Sequence, residues 1–291
     1  MQRKVIITAD DFGISTEINS GILIAHRNGL LSSVSLMVNG EASLEALQIA
    51  SENPALEIGL HLGIVEGFSL RGVESSITDK LRYFNGSVCL HRHWKQFLLR
   101  YMIGKINFSE LEEEFELQIQ EFLRHYQSIP FMNSTQHLHL LPKVSSIIIK
   151  LAKKYKIKFI RVPHNSMDLP KSFESRWIYS RIIFTLGKFF KKTAEENGIA
   201  TTDHFLGFDV SGQLDEGWLL AKISNLSQGV TEIMTHPGLE CNRLRAGLPW
   251  GYANFSWQSE LDALLSKRLI SKLRARDFDQ ARFSDISDNK I

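Results

Sequence analysis

The apolar run Val5-Ile6-Ile7-Thr8-Ala9 stops on two adjacent carboxylates, Asp10 and Asp11, followed by Phe12-Gly13. β-Branched residues at this density favour a strand. Side chains alternate along a strand, so neighbouring acids at its end are expected to point in different directions. One could then bind a cation while the other faces a substrate, a division of labour that suits hydrolysis of an unactivated bond. Buried acids without partners are costly, so two of them at the tip of an apolar strand need a reason. The plainer alternative is capping of the next helix, for which Asp and Ser15 are both good residues.

Strand-like and helix-like segments alternate from end to end. Apolar spacing predicts strands over 4–8, 33–38, 57–62, 133–141, 158–162 and 231–235. Helices are predicted over 17–27, 42–51, 110–126, 143–154, 172–197 and 258–266. Repeated strand–helix units imply a parallel sheet. At 291 residues a closed or nearly closed β/α barrel is favoured over an open sheet. No repeat or linker interrupts the pattern, so 1–291 is expected to be a single domain. The segment 68–92 lacks periodicity and is expected to be a long loop, a candidate lid. The stretch 176–192 is both basic and apolar, and is expected to be a core-packing helix with a solvated lysine face. An interfacial helix making peripheral membrane contact, and reaching a lipid-linked substrate, is the sharper alternative.

Bulk composition narrows the class. An apolar fraction of 43% and a charged fraction of 23% are ordinary for a globular enzyme. A formal net charge of +2 provides no general field for nucleic acid, so none is expected as a partner. Cys89 and Cys241 have neither disulfide-framework nor metal-type spacing, which suits a reducing compartment. The N-terminal apolar run is too short for a signal-peptide core, so a cytoplasmic enzyme is expected.

The candidate chemistry lies toward the C-terminal ends of the expected strands, the catalytic rim of a β/α barrel. Asp10 and Asp11 end the first strand, and His61 comes late in Ile58-Gly-Leu-His-Leu62. His137 and His139 fall late in another strand, and His236 precedes Pro237-Gly238. A carboxylate with two histidines is a common ligand set for a catalytic divalent ion. His137 and His139 would share one strand face with Cβ atoms about 6–7 Å apart. One is therefore expected to bind the ion while the other positions substrate.

These residues resemble the YdjC-like carbohydrate deacetylases, which include chitooligosaccharide and hopanoid-biosynthesis-associated deacetylases. The resemblance covers nearly the whole chain. It rests on Thr8-Ala-Asp-Asp-Phe-Gly-Ile-Ser15, the 26–39 segment, Gly59-Leu-His-Leu62 with Val65-Glu-Gly67, His137-Leu-His-Leu-Leu-Pro142, Arg161-Val-Pro163 and the 229–237 segment. It implies a distorted (β/α) TIM-like barrel and metal-dependent removal of an acetyl group from an N-acetylated sugar, whether an oligosaccharide, a polysaccharide or a lipid-linked glycan. Mg2+ is the implied ion, although a carboxylate with imidazoles also suits Zn2+. By position, Asp10 matches the general base, Asp11 and His61 match metal ligands, and His236 matches the late histidine that would protonate the departing amine. His137 is assigned to the metal. His139, Arg161 and Asn39 are assigned to the substrate, with a backbone amide near Asn39 or Gly40 supporting the oxyanion. Homo-oligomerisation is left open.

The chain departs from the family pattern at one position. Members usually carry three alternating histidines before the proline, the first of them a metal ligand. Here Thr135 stands in that place, in Asn133-Ser-Thr-Gln-His137-Leu-His139. A neutral hydroxyl is a weaker ligand than imidazole. His137 could take over the role, or the chain could be a catalytically silent glycan- or glycolipid-binding member. A hydrolase acting on an ester or a formyl amide would present similar site chemistry.

Overall fold

The computed structural model describes residues 3–84, 86–164, 175–242, 244, 252, 254–274 and 278–286. The first half contains β1 (Arg3–Phe12), α1 (Thr16–Asn28), β2 (Ser33–Leu36), α2 (Ser43–Glu52), β3 (Glu57–Leu62), β4 (Thr78–Phe84), β5 (Ser87–Leu90), α3 (Trp94–Met102) and α4 (Phe108–Leu123). The second half contains β6 (Phe131–Ser134), α5 (Pro142–Lys154), β7 (Phe159–Ile160), α6 (Ser175–Glu196), β8 (His204–Leu206), α7 (Glu216–Ser224), β9 (Gly229–Thr235), α8 (Trp257–Leu264), α9 (Lys267–Arg274) and β10 (Asp279–Gln280). The main sheet runs β7-β6-β3-β2-β1-β9-β8, with every pairing parallel, and β10 joins the foot of β1. It curls into a half-barrel ringed by helices, a distorted TIM-like barrel. Phe159 of β7 bridges Ala200, just upstream of β8, so the two sheet edges approach each other.

Strand alternation places the site. On β1, Val5, Ile7 and Ala9 join the large core shared with the helices, whereas Ile6 joins a separate cluster with Phe131, Phe159, Val230 and Phe283. That second cluster is the apolar floor of the barrel, and Phe131 stacks on Phe283 at 4.0 Å. Gly59 makes room there, since a Cβ would sit 2.5 Å from the Phe131 ring. Two residues further along each strand, the same inward face turns polar. Asp10 follows Ile6 and Thr8, His61 follows Gly59, Asn133 follows Phe131, Arg161 follows Phe159, and Glu232 follows Val230. A period of two thus stacks an ionic layer on an apolar floor.

Three expectations need correction. The segment 68–92 is not a structureless loop, because β4 and β5 pair within it as an antiparallel hairpin. The strand expected over 133–141 ends at Ser134 and continues as a 3₁₀ turn over Thr135–Leu140, with Gln136 and His137 both at φ 53°. His137 and His139 therefore share no strand face. Finally, capping of α1 belongs to Ser15, whose hydroxyl accepts from the Ile18 amide, and not to either aspartate.

Helix α6 buries Ile183, Phe184, Phe190 and Ala194 and exposes Lys188 and Lys192. It also exposes Ile182 (52%) and Phe189 (70%). The side chains of 176–178 lie outside the described residues. No helix among the described residues is long and apolar enough to cross a membrane.

Candidate active site

Asp10 and Asp11 line the same pocket of about 270 Å³, together with His61, His137 and His236. Simple alternation would have separated the two acids. Instead the β1–β2 register shifts between Ala9 and Phe12, and Asp11 takes φ 65°. A bulge of this kind re-aims a side chain, and here it turns the second acid toward His61. Asp11 Oδ1 lies 3.4 Å from His61 Nε2.

Asp10 has both oxygens occupied. Oδ1 accepts from Ser35 Oγ at 2.8 Å and from Asn133 Nδ2 at 3.1 Å, and Oδ2 accepts from Arg161. Arg161 is fully buried and also donates through Nε to Glu232 at 2.7 Å. Burial alone would raise the Asp10 pKa, but Arg161, His61 and His236 outweigh it and hold the carboxyl well below the usual range. Burial works against charge on Arg161 too, yet the Asp10 and Glu232 carboxylates outweigh it and keep the guanidinium charged. For Glu232 burial wins, and its carboxyl is pushed up despite the guanidinium.

The far nitrogen of His61 meets Asn133 Oδ1 at 2.6 Å. Burial would lower the His61 pKa, but Asp11, Asp10 and Asn133 outweigh it and raise it. Tyr252 covers this corner. Its hydroxyl donates to Glu66 at 2.7 Å, and burial with the Asp11 and Glu66 carboxylates nearby pushes its pKa well up.

Thr135 is engaged elsewhere. Its hydroxyl accepts from the amides of Ile64 and Val65 at 3.1 and 3.3 Å and donates to the Val65 carbonyl at 3.2 Å. It clasps the chain beyond β3. His137 does reach the pocket, packed against Phe205 and Phe208, and its buried Nδ1 has no hydrogen-bond partner among the described residues. Burial and the nearby Arg161 hold it neutral, well below the ordinary imidazole pKa. Among the described residues, no three His, Cys, Asp or Glu side chains converge closely enough to hold one ion.

The three residues assigned to substrate lie behind the pocket wall. His139 spends both ring nitrogens inside the protein, on Ser134 Oγ at 2.7 Å and the Arg161 carbonyl at 3.0 Å. Arg161 is enclosed by its two carboxylates. Asn39 donates to the Phe68 carbonyl at 2.9 Å, tying down the segment after β3. The wall is formed instead by Tyr179, Phe208 and Phe255 with Gln136, Gln213 and Asn254. Sequence reasoning missed Ser35, Glu232, Tyr252 and Glu260. Of these only Glu232 left a signal, a lone acid inside the apolar run from Val230 to Met234.

The YdjC-like protein family matches residues 4–275. The chain belongs to that family. The carbohydrate deacetylase of Vibrio cholerae is 28% identical over 283 residues, covering 97% of this chain and 95% of the relative. That of Brevibacillus brevis is 28% identical over 239 residues, covering 80% and 81%. The Xenopus laevis carbohydrate deacetylase is 26% identical over 305 residues, covering 94% and 93%. A solved structure from Enterococcus faecalis V583, described as a cellobiose-phosphate cleavage protein, shares the fold. Its TM-score is 0.75 at 22% identity, over 99% of this chain and 100% of that one. This YdjC-like chain carries two acids at the end of β1 and a histidine on β3, and uses Thr135 as a clasp.

Proposed function

We propose that this YdjC-like protein is a metal-dependent hydrolase that removes the acetyl group from an N-acetylated sugar. The observation that carries the proposal is the convergence of Asp11 and His61 at 3.4 Å, beside Asp10 and His236 in one pocket. The relatives named carbohydrate deacetylase supply the substrate class.

The donor set suits an ion held by two protein ligands and completed by water. Donors at ordinary coordination distances from one ion lie about 3 Å apart, close to the Asp11–His61 separation. It does not suit a closed shell of three protein ligands, since Thr135 is committed to backbone and His137 stands apart. Mg2+, which keeps much of its water shell, matches this set, and the imidazole also admits Zn2+. When bound, such an ion supplies Lewis-acid polarisation of the acetamide carbonyl and acidifies water.

The protein's own groups do the rest. Asp10, held ionised by Arg161, remains a hydrogen-bond acceptor at any physiological pH and orients water on the pocket side. Its low proton affinity makes it a weak base, so the attacking water has to be acidified for Asp10 to take its proton. His236 stands where the departing amine can receive a proton. Tyr179, Phe208 and Phe255 offer aromatic faces to a sugar ring, and Gln136, Gln213 and Asn254 offer amides to its hydroxyls.

Free thiols at Cys89 and Cys241 support a cytoplasmic setting. Ile182 and Phe189, beside Lys188 and Lys192, support a peripheral contact with a membrane carrying a lipid-linked substrate. The Thr135 clasp favours a second reading, a silent glycan-binding member. Acetate release separates the two readings. Purified protein with Mg2+ or Zn2+ should release acetate from N-acetylglucosamine oligosaccharides and lose that activity to a chelator. Sugar binding with no acetate from a broad panel would leave the silent reading standing.

A further inference from the structure

Glu260, on α8, is fully buried and is used by nothing described so far. Its Oε2 accepts the backbone N–H of His236 at 2.5 Å and lies 3.9 Å from His236 Nδ1. Its Oε1 accepts the Leu214 amide at 3.3 Å. The Nδ1 atom is shut off from solvent and has no hydrogen-bond partner among the described residues. Phe255 packs across the ring at 5.1 Å, and the residue lines the pocket. With Nδ1 turned inward toward the carboxylate, Nε2 is the nitrogen left to face the pocket.

We propose that Glu260 is a positioning residue for His236. Its carboxylate keeps the neutral ring in the Nδ1–H form and holds its orientation for proton donation from Nε2. As the C–N bond breaks, the sugar nitrogen takes the Nε2 proton and the ring returns to neutral with Nδ1–H still facing Glu260. The plainer role is a clasp, because the same carboxylate ties the end of β9 to the 212–214 segment. Glu260→Gln removes the charge and keeps one oxygen to accept a backbone N–H, so a loss confined to a substrate whose leaving group needs a proton marks positioning, and a loss on every substrate marks the clasp. The inference rests on the deacetylase reading for its leaving group, not for its geometry.

The test compares Glu260→Gln with wild type on an N-acetylglucosamine oligosaccharide and on 4-nitrophenyl acetate, whose leaving group needs no proton. We expect kcat on the amide to fall roughly 10–100-fold, with KM and ester turnover within about threefold. Equal losses on both substrates, or none on the amide, would overturn the positioning role. Nitrogen-15 NMR of His236 provides a readout that needs no turnover. Wild type should show the Nδ1–H tautomer and Glu260→Gln a shift toward Nε2–H, and an unchanged tautomer would also overturn the role. A wild type that releases no acetate would count against the deacetylase reading alone, and the NMR comparison would still decide on Glu260.

Discussion

Asn133 Oδ1 lies 2.6 Å from His61 Nδ1, and this contact decides which imidazole nitrogen faces Asp11. The Asn133 amide nitrogen is committed to Asp10 Oδ1 at 3.1 Å and Ser35 Oγ at 3.2 Å, so its oxygen must accept from the ring. In neutral His61 the proton then sits on Nδ1, and the Nε2 lone pair is turned to Asp11. Asn133→Ala removes that control. Cation affinity should fall about 10–100-fold, as for other groups that orient a ligating histidine. A thermal-shift titration with Zn2+ or Mg2+ reads the change.

Arg161 bridges Asp10 and Glu232, and all three are buried. Arg161→Met strands two acids in the barrel interior. Unfolding free energy should drop by about 3–5 kcal/mol, the usual cost of breaking a buried pair by removing one partner. Urea denaturation at neutral pH checks this, and a loss below about 1 kcal/mol, the scale of an exposed pair, would show that the triad is not a structural unit.

The barrel and much of its polar layer could be anticipated because both follow from alternation. Ile6 and Asp10 on β1, and Val230 and Glu232 on β9, are inward positions of regular apolar strands. What escaped the sequence is irregular backbone. Gln136 and His137 adopt left-handed φ without glycine, so nothing marked the strand's early end or the separation of His137 from His139. The bulge at Asp11 was equally silent, and it alone brings both acids to one pocket. Glu260 arrives from a helix whose pattern gives no hint of His236. The hairpin of β4 and β5 carries too little apolar alternation to register.

His139 makes stability depend on pH in a defined direction. Burial, with Arg161 beside it, holds its folded pKa at about 3, against 6.5 for the free side chain. Between those values the unfolded chain binds the extra proton, so stability falls as pH falls, by up to about 1.4 kcal/mol per pH unit. His61, whose pKa is raised, acts oppositely. Its contribution is fully present below pH 6.5 and is lost as pH rises through its folded value. Urea unfolding of His139→Asn between pH 7 and 5 should show a slope flatter than wild type by about one proton.

Thr135→His sets the two uses of that position against each other. Loss of the hydroxyl frees the Ile64 and Val65 amides, which should cost about 1–3 kcal/mol of stability. The new imidazole should raise metal content in the purified protein, read by elemental analysis. A stability loss with no gain in metal would mean that position 135 cannot reach the ion from this backbone.

The most direct test of the Asp11–His61 centre is calorimetric titration of Zn2+ and Mg2+ into wild type, Asp11→Asn and His61→Ala. Wild type should bind one ion per chain, and each substitution should weaken binding at least about tenfold, in line with loss of a ligand from a small set. Failure of the wild type to bind either ion, or variants that bind as tightly as wild type, would contradict the assignment of these residues to a cation.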